Sequence, residues 1–365
     1  MPPPGRAPSE FPEPLGPPHK TEQQPVKNTV SRRRVALTLG LLLPVSAALV
    51  PTGASIRFAP EAGLSLTKTF VQSSDASLES VELHMGDETH EVDDVPEITI
   101  HSVETIVFDD TYDRVGDGRP AQLTRTYSEL GRTREQTTPD GDETSEESSE
   151  LADHTVVYKW DGDEETFTAA FAEDSQGDEN LLAPTWCEAD MLGFLPVGEV
   201  EEGDTWSVDV DAWRHVLEPG GDLSFLNKEG ESNSDEIDQD ISDSLDGEIE
   251  CEFQGFREED DVRLAVIAVT IDLTGTGDTE EALEIDDNEQ VSGGVQHRIV
   301  TIETELEGEL LWDVAAGHMA SFHVVGESSV EMDEGVKLEL TSGETFEQSQ
   351  VLTFASELEM TFTFE

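Results

Sequence analysis

Apolar and polar residues alternate over long stretches of this chain, most regularly at its C-terminal end. Leu352, Phe354, Leu358, Met360, Phe362 and Phe364 take even positions, opposed by Thr353, Glu357, Glu359, Thr361 and Thr363 on odd ones. A period of two sends alternate side chains to opposite faces of a strand, so one face is core and the other meets water. At about 3.3 Å per residue a strand over 351–364 spans ~45 Å, long for a small sandwich and natural in a broad, curved antiparallel sheet. The same alternation predicts strands over 65–71, 78–85, 97–108, 122–130, 155–160, 166–171, 295–313 and 319–332. Residues 262–273 are almost continuously apolar and β-branched, as in a strand covered on both faces.

The centre breaks this pattern. Trp186, Met191 and Leu192 fall at helix-compatible spacing within 184–194, and 210–217 gives a second short helical segment stopped by Pro219-Gly220-Gly221. Between them a Gly203-Asp204 turn leads into a short strand that buries Trp206. Residues 137–150 and 229–246 are acidic without a consistent period and read as solvated loops. The predicted fold is mainly β (α+β), a long curved antiparallel sheet or half-barrel made of two meandering halves with short central helices. Its segments are a Pro-rich disordered leader at 1–30, an export signal or N-terminal anchor at 31–55, a β half at 56–182, the central helical and acidic region at 183–246, and a second β half at 247–365. The strand ends Trp160-Asp161 and Trp312-Asp313, each followed by a turn, are a faint echo between the halves.

Charge sharpens the boundary at the leader. Residues 1–55 carry six Lys and Arg against three Asp and Glu, whereas 56–365 carry fourteen against eighty, so a net +3 is followed by −66. Arg32-Arg33-Arg34 precede the apolar run 35–50, and small residues follow it, in the order of an export signal. Positive residues before such a run stay inside, so the rest of the chain is expected outside the cytoplasm, periplasmic or secreted. Sixteen residues reach only about 24 Å of a ~30 Å bilayer core, which favours a cleaved signal over a retained anchor at 35–50. Two adjacent arginines also satisfy a twin-arginine signal, which exports folded proteins. Carboxylates at this density repel one another, so added salt is expected to stabilise the domain. The same field repels nucleic acid and anionic membrane surfaces.

The chain resembles uncharacterised exported bacterial β-rich proteins with a central Leu-Pro/Gly-Asp-x-Trp box, here Leu195-Pro196, Val200 and Gly203-Asp204-Thr205-Trp206, and a Gly308-Glu309-Leu310-Leu311-Trp312-Asp313 hairpin. By layout alone it is also similar to periplasmic half-barrel carriers of lipids or lipoproteins. The first resemblance implies packing and turns without an activity; the second implies a sheet that cradles an apolar ligand or a cell-envelope partner.

Chemistry is sparse. The nine histidines form no metal-ligand spacing, and His318 and His323 read as surface residues on opposite faces of a strand. No nucleophile elbow, phosphate loop or dinucleotide fingerprint is present, so no catalytic residue, cofactor or metal is expected. Asp113 to Gly118 begins like a calcium loop, but Val115 stands where an oxygen ligand is needed; a site of irregular ligands within 235–246 is the weaker alternative to a solvated loop. Cys187 and Cys251, the two cysteines, are either bridged or two buried thiols. Trp206, Trp312, Phe354 and Met360 either fill a core or line a groove. The expected function is therefore non-catalytic, with an apolar ligand or partner held in a sheet groove. The alternative is a carboxylate-dependent hydrolase such as a glycosidase, which needs only two suitably spaced acids. A membrane β-barrel is disfavoured because few segments carry an outward apolar belt with aromatic girdles.

Overall fold

The computed structural model describes residues 53–86, 88–230, 236–283 and 291–365. The leader at 1–30, nearly all of the export segment at 31–55, and Asp235 lie outside the described residues. The first half contributes β1 (Ala54–Ser55), β2 (Ser65–Met85), β3 (Glu88–Glu91), β4 (Thr99–Gly116), β5 (Arg119–Thr138), β6 (Gly141–Ser149), β7 (Thr155–Asp161) and β8 (Thr166–Phe171). The centre adds β9 (Glu199–Val200), β10 (Thr205–Val208), α1 (Asp211–Leu217), β11 (Phe225–Leu226) and α2 (Glu236–Asp243). The second half is β12 (Asp246–Glu259), β13 (Val262–Ala282), β14 (Val291–Asp313), β15 (His318–Leu340) and β16 (Thr345–Phe364).

Two meanders meet in one antiparallel sheet of 14 strands, eleven of them in the order β10-β12-β13-β14-β15-β16-β2-β4-β5-β6-β11, with β3 paired to β2 and the hairpin β7-β8 branching from β5, and the sheet does not close into a barrel. The seam is β16 against β2, paired from Phe364↔Lys68 to Gln348↔Met85, so the last strand of the chain lies beside the first long one. Strands β14 and β15 run 23 residues each, roughly 75 Å at ~3.3 Å per residue. The alternation read over 351–364 is the inner and outer parity of β16. Its inner set joins an aromatic row across the sheet, with ring centroids 5.5 Å apart for Phe322–Phe362, 4.9 Å for Phe70–Phe362 and 5.2 Å for Phe70–Phe108.

The central segment lies over the inner face at one end of the strands, which we call the covered end. Phe194, Trp213, Val216 and Leu223 are buried there in the same core cluster as Phe70, Phe108, Trp312 and Phe322. Residues 184–194, predicted helical, instead make turns and a single 3-10 turn at Leu192–Phe194. Their carbonyls are used elsewhere: Arg125 donates to Trp186 O at 3.2 Å and to Cys187 O at 3.1 Å. Helix α1 matches the prediction over 210–217. Within the acidic stretches read as loops, 141–149 is strand β6, and α2 and the start of β12 fall within 229–246. Asp313 and Asp161 each accept amides two and three residues ahead, which makes the Trp-Asp echo two copies of one turn chemistry. Asp117 and Gly118, both with positive φ, form the tight β4–β5 turn within the calcium-like segment, and Asp113 accepts from Gln122 and Thr124.

The outer face is written in carboxylates. Cross-strand pairing brings Glu248, Asp272, Glu305, Glu327, Glu357 and Asp75 into one transverse row over β12, β13, β14, β15, β16 and β2. All six are exposed, and His101 on β4 ends the row 2.7 Å from Asp75. Neighbouring strands lie ~4.8 Å apart, and like charges directly opposite one another destabilise a sheet. The folding gain that opposes this repulsion sits on the other face.

Candidate functional site

Two features of the inner face are built for more than ordinary packing. The first is a sealed cluster of charges under the central segment. Lys68 on β2, Asp110 on β4 and Arg125 on β5 each sit in phase with large apolar neighbours, so each side chain enters the core, and all three are fully buried. Arg125 makes a forked pair with Asp110, Nε to Oδ1 at 2.7 Å and Nη2 to Oδ2 at 2.9 Å. Lys68 Nζ bridges Asp110 Oδ2 at 2.9 Å and Asp190 Oδ1 at 2.7 Å, and Tyr112 donates to Asp190 Oδ1 at 2.5 Å. Asp190 belongs to the central segment, so the cluster ties that segment to three strands. Arg125 also lies over the Phe108 ring, 3.9 Å from its centroid.

Burial draws the Lys68 ammonium down, but Asp110 and Asp190 together outweigh it and hold its pKa above the usual lysine value. Burial likewise opposes the Asp110 carboxylate, and Arg125 and Lys68 outweigh it, leaving its pKa below the usual aspartate value. Each charge is kept on, matched and out of contact with water. Lys68, Asp110 and Arg125 are sealed from solvent and each is ion-paired within the cluster. The cluster is a clasp.

Glu188 borders it. Burial and then the neighbouring Asp190 push its carboxyl up to about 7, against help from the amides of Asp190 and Leu192 and from Lys68. A carboxyl raised from 4.5 in the unfolded chain to about 7 in the fold gives stability that is full below ~4.5, falls as pH rises, and levels above about 7. Glu188→Gln removes that fall. Its stability relative to the parent should rise across this window, by up to about 3 kcal/mol at pH 8, in urea titrations; a difference that stays flat from pH 4.5 to 8 refutes the assignment.

The second feature is an apolar band beyond the central segment, toward the open end of the strands. Register aligns Ile302, Val330, Phe354 and Leu78 in one inner row, and Val300, Met332, Leu352 and Val81 in the next. None of the eight belongs to the core cluster, and six of them are only half-buried. Helix α2 reaches one margin, where Ser244 Oγ accepts from Thr276 N at 2.7 Å and Leu245 lies over Gly275.

The four residues read from sequence as core or groove therefore separate. Trp312 and Met360 are in the core, Trp206 packs at its edge with its indole N–H donated to Phe194 O at 3.1 Å, and Phe354 lies half-buried on the apolar band. Cys187 and Cys251 are both buried and unbridged, so of the two readings the structure shows separate thiols; burial raises both, Cys251 to about 12. His323 is on the surface as expected, 3.2 Å from Glu359, whereas His318 is buried, its Nδ1 2.7 Å from Met319 O. The clasp residues Lys68, Asp110, Arg125 and Asp190 were not singled out by sequence reading. Their signal was a charge at core parity, as in Leu66-x-Lys68-x-Phe70 and Leu123-x-Arg125-x-Tyr127.

Among the described residues, no group of three or more His, Cys, Asp and Glu side chains could hold a metal ion, and no helix is long and apolar enough to cross a membrane. No protein-family model matches the chain, and no curated protein does. Among solved structures, a loop-deletion mutant of OmpT, an outer membrane protein of Vibrio cholerae, aligns at 8% identity over 84% of this chain and 100% of its own, with a TM-score of 0.12. Acinetobacter baumannii OccAB4 aligns at 7% identity over 84% of this chain and 98% of its own, with a TM-score of 0.11. Scores at this level carry no argument about fold or function.

Proposed function

We propose that this is an exported, non-catalytic acidic protein that binds an apolar partner surface on the inner face of its sheet, beyond the central segment. The observation that carries the reading is the double row Ile302, Val330, Phe354, Leu78 and Val300, Met332, Leu352, Val81, which stands outside the main core cluster on neighbouring long strands, with all but Leu78 and Val300 only half-buried. These six are half-buried where the core residues of the same strands are sealed, and a contiguous apolar area left partly accessible suits contact with a partner surface. The signal-like leader and the salt-tolerant acidic surface fit work outside the cytoplasm. The hydrolase alternative needs a protonated carboxyl beside an ionised one in a cleft; of the carboxyls that burial raises, Glu104 is engaged by Arg132 at 2.6 Å and Glu188 by backbone amides, and Glu218 lies on the exposed surface after α1.

The test uses Nile red, a neutral dye that the acidic surface does not repel. Dilute full-length protein should brighten and blue-shift it, and Val330→Glu or Phe354→Glu should reduce that signal about fivefold or more while leaving the melting temperature nearly unchanged. Equal dye emission from the parent and both variants would overturn the reading.

A further inference from the structure

We infer that the partner on this face is a second copy of the same chain, joined inner face to inner face. The inference rests on the reading of the apolar band as a binding surface and adds the identity of what covers it.

Area is the first argument. With β13 taken up by α2 at Gly275, the inner faces of β14 to β16 and β2 form a strip about 19 Å wide at ~4.8 Å per strand, and ten residues from the Thr304 row to the Gly294 row give ~33 Å of length. The product, roughly 630 Å² per copy and about 1,250 Å² for two, reaches the lower end of the range of stable protein interfaces.

Charge is the second. The outer face carries the carboxylate row, so two copies approaching outer face first repel at every strand. Within the strip of β14 to β16 and β2 the described charged residues of inner parity are Arg298 and Glu334, which pair with each other, Nε to Oε1 at 3.3 Å, and the exposed Glu281 of β13 lies at its margin. Two inner strips can therefore close without bringing unpaired carboxylates together, and the acidic faces of both copies remain in water. A cationic partner would have been recognised by the other face of the sheet.

Relief is the third. Beside the bulky row of Val330 and Phe354 runs a row of small residues, Ser328, Ser356 and Ala76. A two-fold axis across the strip sets the bulky row of one copy into the small row of the other, as an isologous interface requires. A lipid chain would need an enclosing trough, which a ridge beside a furrow on an open face does not supply.

Sedimentation velocity of the full chain from ~1 to ~100 µM, in about 0.15 M and about 2 M sodium chloride, is the test. The expected result is a monomer–dimer equilibrium that salt shifts toward dimer, weakened at least tenfold by Val330→Glu and unchanged by Val325→Glu on the outer face. Ser356→Cys should form a disulfide-linked dimer under mild oxidation, whereas Ala355→Cys, adjacent but on the outer face, should not; this holds even if a charged variant fails to fold. A parent that stays monomeric in about 2 M salt, or a dimer that survives Val330→Glu and crosslinks in the Ala355→Cys variant, overturns the inference. If that monomer still binds Nile red, the apolar-face reading stands with another occupant; if it binds none, both fall.

Discussion

Asp110→Ala lowers the stability of the folded chain by about 3–5 kcal/mol, the cost of stranding buried charge. Asp110 is the shared anion of the clasp: Arg125 reaches both its oxygens, and Lys68 lies 2.9 Å from one of them. Removing it leaves a guanidinium fully buried with only carbonyl partners, and an ammonium that must rely on Asp190 alone. Nothing in the sealed site lets water replace the lost carboxylate. Tyr112→Phe, which deletes one donor to Asp190, should cost about 1–2 kcal/mol by comparison. Urea denaturation at low and at molar salt measures both. The Asp110 loss should be the same at the two salt levels, because the pair is shielded from ions, and a loss below about 1 kcal/mol would show that the cluster is hydrated.

Gly308→Ala is expected to cost about 3 kcal/mol or more, although alanine is the smallest change available. A Cβ at Gly308 would stand 1.9 Å from the carbonyl oxygen of His323 and 2.7 Å from Val324 Cα, and both obstacles are backbone. Gly326, on the neighbouring strand, is equally confined, 2.1 Å from the Glu305 carbonyl. The two glycines let β14 and β15 close together in nearby rows, Gly308↔Val324 and Leu306↔Gly326. The first of these rows continues through Met360 to Gln72, whose amide donates to the α1 carbonyls of Val216 and Leu217 at 3.2 and 3.1 Å. The close approach therefore lies where the covered end of the sheet gives way to the open end. Gly116→Ala, with nothing within 4 Å of its Cβ, should stay within about 0.5 kcal/mol. A Gly308 variant as stable as the Gly116 one would mean that the strands are free to part.

The sheet was legible because nearly every long strand keeps strict parity on its inner face, as in Phe362, Met360 and Leu358. It was less legible where parity carries small polar residues. Gln72, Ser74 and Ala76 divide β2 into two apparent strands, 65–71 and 78–85, although the chain runs straight through them. Strand β6 was hidden for another reason: it has scarcely any apolar residue, and pairs with β5 alongside Arg132, 3.5 Å from Glu147. The false helix at 184–194 had the right spacing of apolar residues, and no local pattern shows that Arg125 from a distant strand takes its carbonyls. Of the site, Phe354 was named as a candidate, but its place beyond the cover depends on how far the central segment reaches, which is a tertiary fact.

The row from Glu248 to Asp75 has a consequence for how this protein meets ions. Two unit charges in water interact with about the thermal energy at ~7 Å, and a line of charges spaced more closely than that draws counterions into a condensed sheath, as the phosphates of a nucleic acid do. At ~4.8 Å between strands, six carboxylates cross that threshold. The outer face is in this respect a short polyelectrolyte laid across a protein. Its cations are held by charge density and remain hydrated and exchangeable, so sodium and potassium should serve it alike, and part of what the environment supplies to this fold is simply the concentration of salt.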